Sequence, residues 1–197
     1  RARSAEELED STTGHTNHVV VIGYGLAGQF LTSSLLDLKI EVVALEMNSE
    51  NVRLGKKKGE PVFYADATSA EALGHAHIEN CRAIVLMIND HQATERVLST
   101  IEKLDVTAPV FIRTQFMRGS EELSHQGRNE VVACEVEGGL EVLSRVLRKL
   151  EIPRNLIARE IKRARQKTMS SEREFTSSPL PLIEHSKLKE LKVETLL

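Results

Sequence analysis

The sequence predicts an α/β fold built on a parallel sheet, and three observations support that prediction. Short apolar runs alternate with amphipathic stretches of helical length, the first apolar run passes directly into glycines, and 41% of the 197 residues are hydrophobic. Nearly continuous apolar strands separated by amphipathic helices are typical of a parallel sheet that is covered on both faces. The apolar content is sufficient for a core of ordinary size.

Six apolar runs predict six strands, the full count of a Rossmann-like, doubly wound parallel sheet. The predicted strands cover residues 18–22, 41–45, 61–64, 83–88, 109–112 and 130–133. The predicted helices between them cover residues 26–38, 49–58, 69–73, 91–104 and 117–125.

The first strand ends in a glycine-rich turn, Gly-Tyr-Gly-Leu-Ala-Gly. A strand that passes through G-x-G-x-x-G into a helix is typical of a dinucleotide-binding turn, although glycines with this spacing also occur in ordinary turns. Gly23 would form the tight turn, Gly25 would let the backbone approach a phosphate, and Gly28 would let the helix pack close to its strand. The predicted nucleotide-binding turn consists of Gly23, Tyr24, Gly25, Leu26, Ala27 and Gly28.

Acidic residues follow the second and third strands. Glu46 lies about twenty residues beyond the first glycine, where a carboxylate can accept hydrogen bonds from ribose hydroxyls and repel a 2′-phosphate; the alternative is a surface residue that caps the next helix. Asp66 can accept a hydrogen bond from an adenine amino group or cap the helix that begins near Ser69, and the spacing favours neither. The predicted nucleotide contacts from these two segments are Glu46, Met47, Asp66, Ala67 and Thr68.

Two further polar residues follow the fourth and fifth strands. Asn89 would end the fourth strand at the topological switch point, where ligands of open α/β sheets bind. Arg113 follows the fifth strand and could place its guanidinium near the phosphates. We predict both as nucleotide contacts; the alternatives are a helix start for Asn89 and a solvated side chain for Arg113.

Composition and spacing argue against several other functions. A formal net charge of −3 gives no general attraction to nucleic acid, and no apolar run approaches the roughly 18 residues needed to span a bilayer. Cys81 and Cys134 lack the spacing of a zinc site or disulfide framework, which fits a reducing compartment. His75 and His77 have no third ligand at helical spacing, so we predict no metal site.

The residues after the sheet predict two helices. Leu140, Leu143, Leu147 and Leu150 continue an apolar stripe from Val136 along a helix at residues 137–150. The stripe could pack on its own sheet or against a second subunit. Pro153 ends or kinks this helix, and a strongly basic second helix follows at residues 154–167.

These patterns predict four segments. Residues 1–17 form an N-terminal tether, residues 18–135 the nucleotide-binding domain, residues 136–167 the helix pair, and residues 168–197 a polar linker followed by the start of another subdomain. Because the first residue is Arg1 and the last apolar run stops abruptly, we expect the chain to be a piece of a longer protein, whose membrane segments would lie outside this sequence.

From about Asn17 to Lys167 the sequence resembles the RCK or KTN domains (TrkA-N type) that regulate potassium channels and transporters. The resemblance lies in the glycine turn, in Glu46, in Ala-Asp-Ala-Thr at residues 65–68, and in Gly-Gly-Leu at residues 138–140. Among these domains the chain is most similar to the Kef-type branch of cation/proton antiporters. Ala65 is a mild departure, since the family usually has glycine before this Asp.

The resemblance implies a regulatory domain at the cytoplasmic face of the membrane, associated with a membrane transport domain. It implies a homodimer joined by a crossover helix at residues 137–150, with Leu140, Leu143, Leu147 and Leu150 in the interface. It also implies an adenine nucleotide, AMP, NAD(H), ADP or ATP, whose binding rearranges the dimer and gates transport.

Two alternatives come from other classes of protein. An NAD-dependent oxidoreductase would share the glycine turn, but Tyr24 and Tyr64 are the only tyrosines and neither has Lys four residues later, so the Tyr-x-x-x-Lys pair is absent. We therefore predict no catalytic residue. The second alternative is a constitutive dimerisation module with a vestigial pocket.

Overall fold

The structure is a computed structural model that describes residues 16–116, Leu123 and residues 129–177, with side chains described as far as residue 166. Its strands are β1 (Val19–Ile22), β2 (Val42–Glu46), β3 (Val62–Tyr64), β4 (Ala83–Leu86), β5 (Val110–Thr114) and β6 (Asn129–Ala133). Its helices are α1 (Leu26–Asp37), α2 (Ser49–Lys58), α3 (Ala70–His75), α4 (His91–Lys103), α5 (Cys134–Lys149) and α6 (Arg154–Ser177), with a 3₁₀ turn at Ile78–Asn80.

The six strands form one parallel sheet in the order β3-β2-β1-β4-β5-β6. This order confirms the predicted Rossmann-like fold, because the chain reverses direction across the sheet between β1 and β4. The reversal places the carboxyl ends of β1 and β4 side by side, and the register pairs Ile22 with Leu86 there.

Both faces of the sheet are covered, which explains why the strands are apolar at successive positions. Val20 and Ile22 of β1 belong to one buried cluster, which includes Val97 and Ile101 of α4. The other cluster contains the intervening β1 residues, one residue of the glycine turn and side chains of β2, α2 and β3, namely Val19, Val21, Tyr24, Val42, Ala44, Val52 and Val62. Since successive side chains of a strand point to opposite faces, β1 has no solvent-facing side.

Several element ends differ from the predictions, most of them by one or two residues. β4 ends at Leu86, so Asn89 lies three residues beyond the strand, and β5 continues to Thr114, so Arg113 is part of it. The second basic helix continues to Ser177. The predicted end of this helix at residue 167 is therefore wrong, because the polar segment 168–177 has no proline or glycine to interrupt the helix. The role of this segment as a linker stays a prediction.

The remaining predicted segments are only partly covered. The predicted tether lies outside the described residues, except for Thr16 and Asn17. Residues 178–197 of the last segment also lie outside them. The predicted helix at 117–125 also lies outside them, apart from Leu123, which is helical. The chain divides into two compact units, the first ending at Val142 and the second beginning at Leu143. The predicted boundary between the nucleotide-binding domain and the helix pair, after residue 135, stays a prediction. In the described part of the chain, no helix has the length and apolar character needed to cross a bilayer.

One glycine allows α2 to lie close to β3. A β-carbon on Gly55 would stand 2.4 Å from Cγ2 of Val62 and 3.2 Å from Cε1 of Tyr24. A β-carbon on Gly74 in α3 would stand in open space, with no atom within 4 Å. The two helical glycines therefore differ in packing.

We expect Gly55→Ala to lower the free energy of unfolding by about 1 kcal/mol, because overpacking against the stiff Val62 outweighs the gain in helix propensity. The matched control, Gly74→Ala, should cause no loss. Urea denaturation of both variants measures the difference, and equal stabilities would contradict the close packing of α2.

Candidate functional site

The glycine turn lies at the carboxyl end of β1 and has three different steric environments. Gly23 has a φ of +100°, which a side chain disfavours, and its N–H donates to the Leu45 carbonyl at 2.8 Å. A β-carbon on Gly28 would stand 2.0 Å from the carbonyl oxygen of Gly23. Gly25 has open space, with no atom within 4 Å of a β-carbon built there. The turn is thus closed at Gly23 and Gly28 and open at Gly25.

Gly25 is also the N-cap residue of α1, and no side chain caps this helix. The first turn of α1 contains no acidic residue. Unsatisfied N–H groups and the positive end of the helix dipole at such a position favour an anion. The open space at Gly25 therefore has the electrostatic character that a phosphate group requires.

Glu46 lies at the end of β2 and is held by main-chain donors. Its Oε2 accepts a hydrogen bond from the Tyr24 N–H at 2.7 Å, and its Oε1 accepts one from the Asn48 N–H at 2.7 Å. The cap of α2 is Asn48, whose Oδ1 accepts from the Glu50 and Asn51 N–H groups. Of the two interpretations of Glu46, the helix cap is therefore wrong, and the carboxylate is joined to the glycine turn.

Asp66 stabilises the turn after β3. Its Oδ1 accepts hydrogen bonds from the N–H of Thr68 at 3.0 Å and from its hydroxyl at 2.7 Å. The N-cap residue of α3 is Ser69, so Asp66 is not the cap. The side chain is exposed at the same sheet edge as Glu46.

A cavity of about 90 Å³ joins these segments. Six predicted residues line it: Gly23, Glu46, Met47, Asp66, Ala67 and Thr68. Its apolar wall includes Ile88, Ala93 and Val97, which the sequence analysis did not select. The four-residue spacing of Ala93 and Val97 on α4, directly after the switch point, was the signal that could have identified them.

Asn89 and Arg113 line a different cavity. This second cavity has a volume of about 300 Å³ and is also lined by His91, Thr94 and Phe116. An Arg113 guanidinium nitrogen, Nη1, donates a hydrogen bond to Oδ1 of Asn89. The structure thus brings the two residues together, but not with Glu46 and Asp66; Ile88 lines both cavities. Their role in nucleotide binding stays a prediction.

The turn residues between the glycines do not contribute side chains to the first cavity. The Tyr24 side chain is completely buried in the core, and its hydroxyl donates a hydrogen bond to Glu60. Burial, and then the neighbouring Glu60 carboxylate, raise the pKa of Tyr24 well above its usual value, so the hydroxyl stays protonated. The Leu26 side chain is 88% exposed. The buried Tyr24 side chain leaves only its main chain for a ligand. Gly25, Leu26, Ala27 and Gly28 are not among the residues that line this cavity, and their role as nucleotide contacts stays a prediction.

The predicted interface residues of α5 differ in exposure. Leu140 is buried within its own chain, Leu143 and Leu147 are half-buried, and Leu150, just after the helix, is 65% exposed. Val142 and Val146, which the predicted stripe omits, are also exposed, and with Leu150 they repeat every four residues. The burial of Leu140 supports packing within the chain at that position, while the dimer interface stays a prediction.

The described residues contain no candidate metal site. No cluster of three His, Cys, Asp or Glu side chains occurs there that could hold a metal ion. His77 Nδ1 lies 3.3 Å from a carboxylate oxygen of Glu79, and His75 Nε2 lies 3.7 Å from Glu71, as separate pairs.

The sheet order and the glycine turn define a Rossmann-like domain with a cavity at the carboxyl edge of its sheet. A family model described as the TrkA-N domain matches residues 19–133. The chain belongs to the TrkA-N domain family.

Relatives with curated descriptions include potassium antiporters. The chain is 29% identical over 153 residues to a putative K⁺ efflux antiporter KefB of Alkalimonas amylolytica, covering 77% of this chain and 23% of that protein. It is 30% identical over 164 residues to a glutathione-regulated potassium-efflux system protein of Haemophilus influenzae, covering 83% of this chain and 26% of that protein. The chain therefore spans about a quarter of the length of these two relatives.

Solved structures share the fold. The Kef CTD of Shewanella denitrificans in AMP-bound form has a TM-score of 0.69 and 18% identity, covering 81% of this chain and 97% of that chain. The GsuK channel bound to NAD has a TM-score of 0.57 and 21% identity, covering 68% of this chain and 23% of that chain.

We expect Gly28→Ala to lower the free energy of unfolding by about 2 to 3 kcal/mol, because the added methyl group displaces the Gly23 carbonyl. Gly25→Ala, which adds the same methyl group to open space, should cost no more than about 1 kcal/mol, the difference between glycine and alanine at a helix N-cap. Thermal and urea unfolding of both variants test this contrast; similar losses for the two would contradict the geometry of the turn.

Proposed function

We propose that this chain is a nucleotide-binding regulatory domain that gates a potassium transport protein of the Kef antiporter type from the cytoplasmic face of the membrane. The observation that carries the proposal is the combination of open space at Gly25 with a cavity lined by Glu46 and Asp66. In this proposal the ligand is an adenine nucleotide: AMP, ADP, ATP or NAD(H).

Each part of such a ligand has a chemically suitable partner. The phosphate lies beside Gly25 at the N-terminus of α1, and the ribose hydroxyls donate to Glu46, whose carboxylate retains acceptor capacity beyond its present hydrogen bonds. The adenine ring lies against the apolar wall, with Asp66 Oδ2 available to its amino group. The negative charge of Glu46 disfavours a 2′-phosphate, so NADP should bind more weakly than NAD.

The similarities support a transport role. The curated relatives described above are potassium-efflux proteins, and the AMP-bound and NAD-bound structures have the same fold. Because this chain spans about a quarter of those relatives, the transported ion and the membrane partner are parts of the proposal.

Gating requires two states that bind the nucleotide with different affinities, since a ligand shifts an equilibrium only by that difference. We propose a homodimer joined through residues 137–150, whose two arrangements differ in the contacts of α5. The exposed side chains of Val142, Val146 and Leu150 support this assignment.

Calorimetric titration tests nucleotide binding directly. We expect AMP, ADP or NAD to bind the wild-type chain, and Gly25→Asp to weaken binding about tenfold or more, because its carboxylate would repel a phosphate in the same space. The matched control is Gly74→Asp, which introduces the same charge at another open glycine and should leave affinity unchanged.

Absence of binding by every adenine nucleotide would overturn the proposal and favour a constitutive dimerisation module. NADH consumption with a panel of carbonyl substrates would instead favour an oxidoreductase.

The dimer is tested by analytical ultracentrifugation of Leu150→Asp. We expect the wild type to sediment as a dimer. In the variant the dissociation constant of the dimer should rise about tenfold or more, because a carboxylate is costly to bury in an apolar interface. Leu38→Asp is the control, since Leu38 is equally exposed but lies at the end of α1. A monomeric wild type, or equal behaviour of both variants, would contradict this interface.

A further inference from the structure

Tyr24 connects the glycine turn to three other parts of the first unit. Its N–H donates to Oε2 of Glu46 at 2.7 Å, and its carbonyl oxygen accepts from Nε2 of Gln29 at 3.3 Å. Its hydroxyl donates to Oε2 of Glu60. One residue thus joins the turn to the end of β2, to α1 and to the segment before β3.

The acceptor of the hydroxyl is itself held in place. The other oxygen of Glu60, Oε1, accepts from the Ser33 hydroxyl of α1 at 2.6 Å. Lys58 Nζ donates to Oε1 of Gln29 at 3.0 Å and lies 6.0 Å from the centroid of the Tyr24 ring. We call Tyr24, Glu60 and Ser33 the tyrosine anchor.

The ring between the two ends of Tyr24 has little freedom to move. It is completely buried, and it fills the space opposite Gly55, where a β-carbon would stand 3.2 Å from Cε1. Close packing of this kind transmits small displacements because cores deform little. The position of the hydroxyl therefore constrains the position of the Tyr24 main chain in the turn.

We propose that the tyrosine anchor sets the position of the Tyr24 N–H and, through it, the orientation of the Glu46 carboxylate toward ribose. Tyr24 is then a positioning residue for nucleotide binding rather than a ligand contact. The inference rests on the proposed nucleotide function. Its physical basis is preorganisation: a carboxylate oriented before binding loses less conformational freedom when the nucleotide arrives.

Calorimetry with AMP tests the anchor in a double-mutant cycle. Tyr24→Phe removes only the hydroxyl and should weaken AMP binding about fivefold, the effect of one hydrogen bond. Glu46→Gln should also weaken binding, and adding Tyr24→Phe to it should weaken binding little further, because Tyr24 acts through Glu46. Full additivity of the two effects would overturn this route.

The other tyrosine provides a matched control. Tyr64→Phe removes the same atom from a 44% exposed side chain that does not line the cavity, and should leave AMP affinity unchanged. Glu60→Gln, which keeps an oxygen acceptor, should retain most of the affinity, whereas Glu60→Ala should match Tyr24→Phe. Equal affinity of Tyr24→Phe and wild type would overturn the anchor while nucleotide binding stands.

Amide hydrogen exchange gives a measurement that needs no nucleotide. In the ligand-free chain, Tyr24→Phe should speed exchange of the Tyr24 N–H about fivefold and leave the β1 amides unchanged. Unchanged exchange at residue 24 would overturn the anchor. A wild type that binds no adenine nucleotide would overturn the proposed function, and with it the role of the anchor in binding, whatever the exchange rates.

Discussion

The contact on which the site depends lies between residues 23 and 28. The carbonyl oxygen of Gly23 occupies the position that a side chain on residue 28 would require. This close approach lets α1 begin directly after the turn, with its first N–H groups beside the open space at Gly25. It also places the Tyr24 N–H where the Glu46 carboxylate can accept it. The geometry of the proposed phosphate and ribose contacts therefore follows from one steric constraint.

The described part of the fold agreed closely with the sequence because its signals are local. Apolar runs marked all six strands, and the glycine spacing marked the first turn. The exact residue at which a strand passes into a loop has no such signal, so the predicted β4 was two residues too long at its carboxyl end. The extension of α6 was missed because polar composition was taken as evidence of a linker, although the segment contains no glycine or proline to interrupt a helix.

The sequence predicted site residues well where their position at a strand end places them, and less well where tertiary packing decides the direction of the side chain. Glu46 ends β2 and Asp66 follows β3, and both line the expected cavity. Asn89 and Arg113 also lie at the expected edge of the sheet, but their side chains form a hydrogen bond with each other in a second cavity. This arrangement depends on tertiary contacts. The burial of Tyr24 was hidden because the residue lies between two glycines of a ligand-binding motif. Gly55, an unexpected glycine within a helix, was the available signal for the ring that packs against it.

The absence of a solvent face on β1 has a consequence for how the sheet is assembled. A strand that alternates between polar and apolar residues resists sliding along its neighbour, because a shift of one residue would bury the wrong side. All four residues of β1 are buried and apolar, so this penalty is weak. Hydrogen bonds at the strand ends also hold this alignment, since the Val19 N–H donates to Glu41, the Gly23 N–H to Leu45 and the Tyr24 N–H to Glu46. Residues of the proposed nucleotide site thus also help to fix the register of β1 against β2.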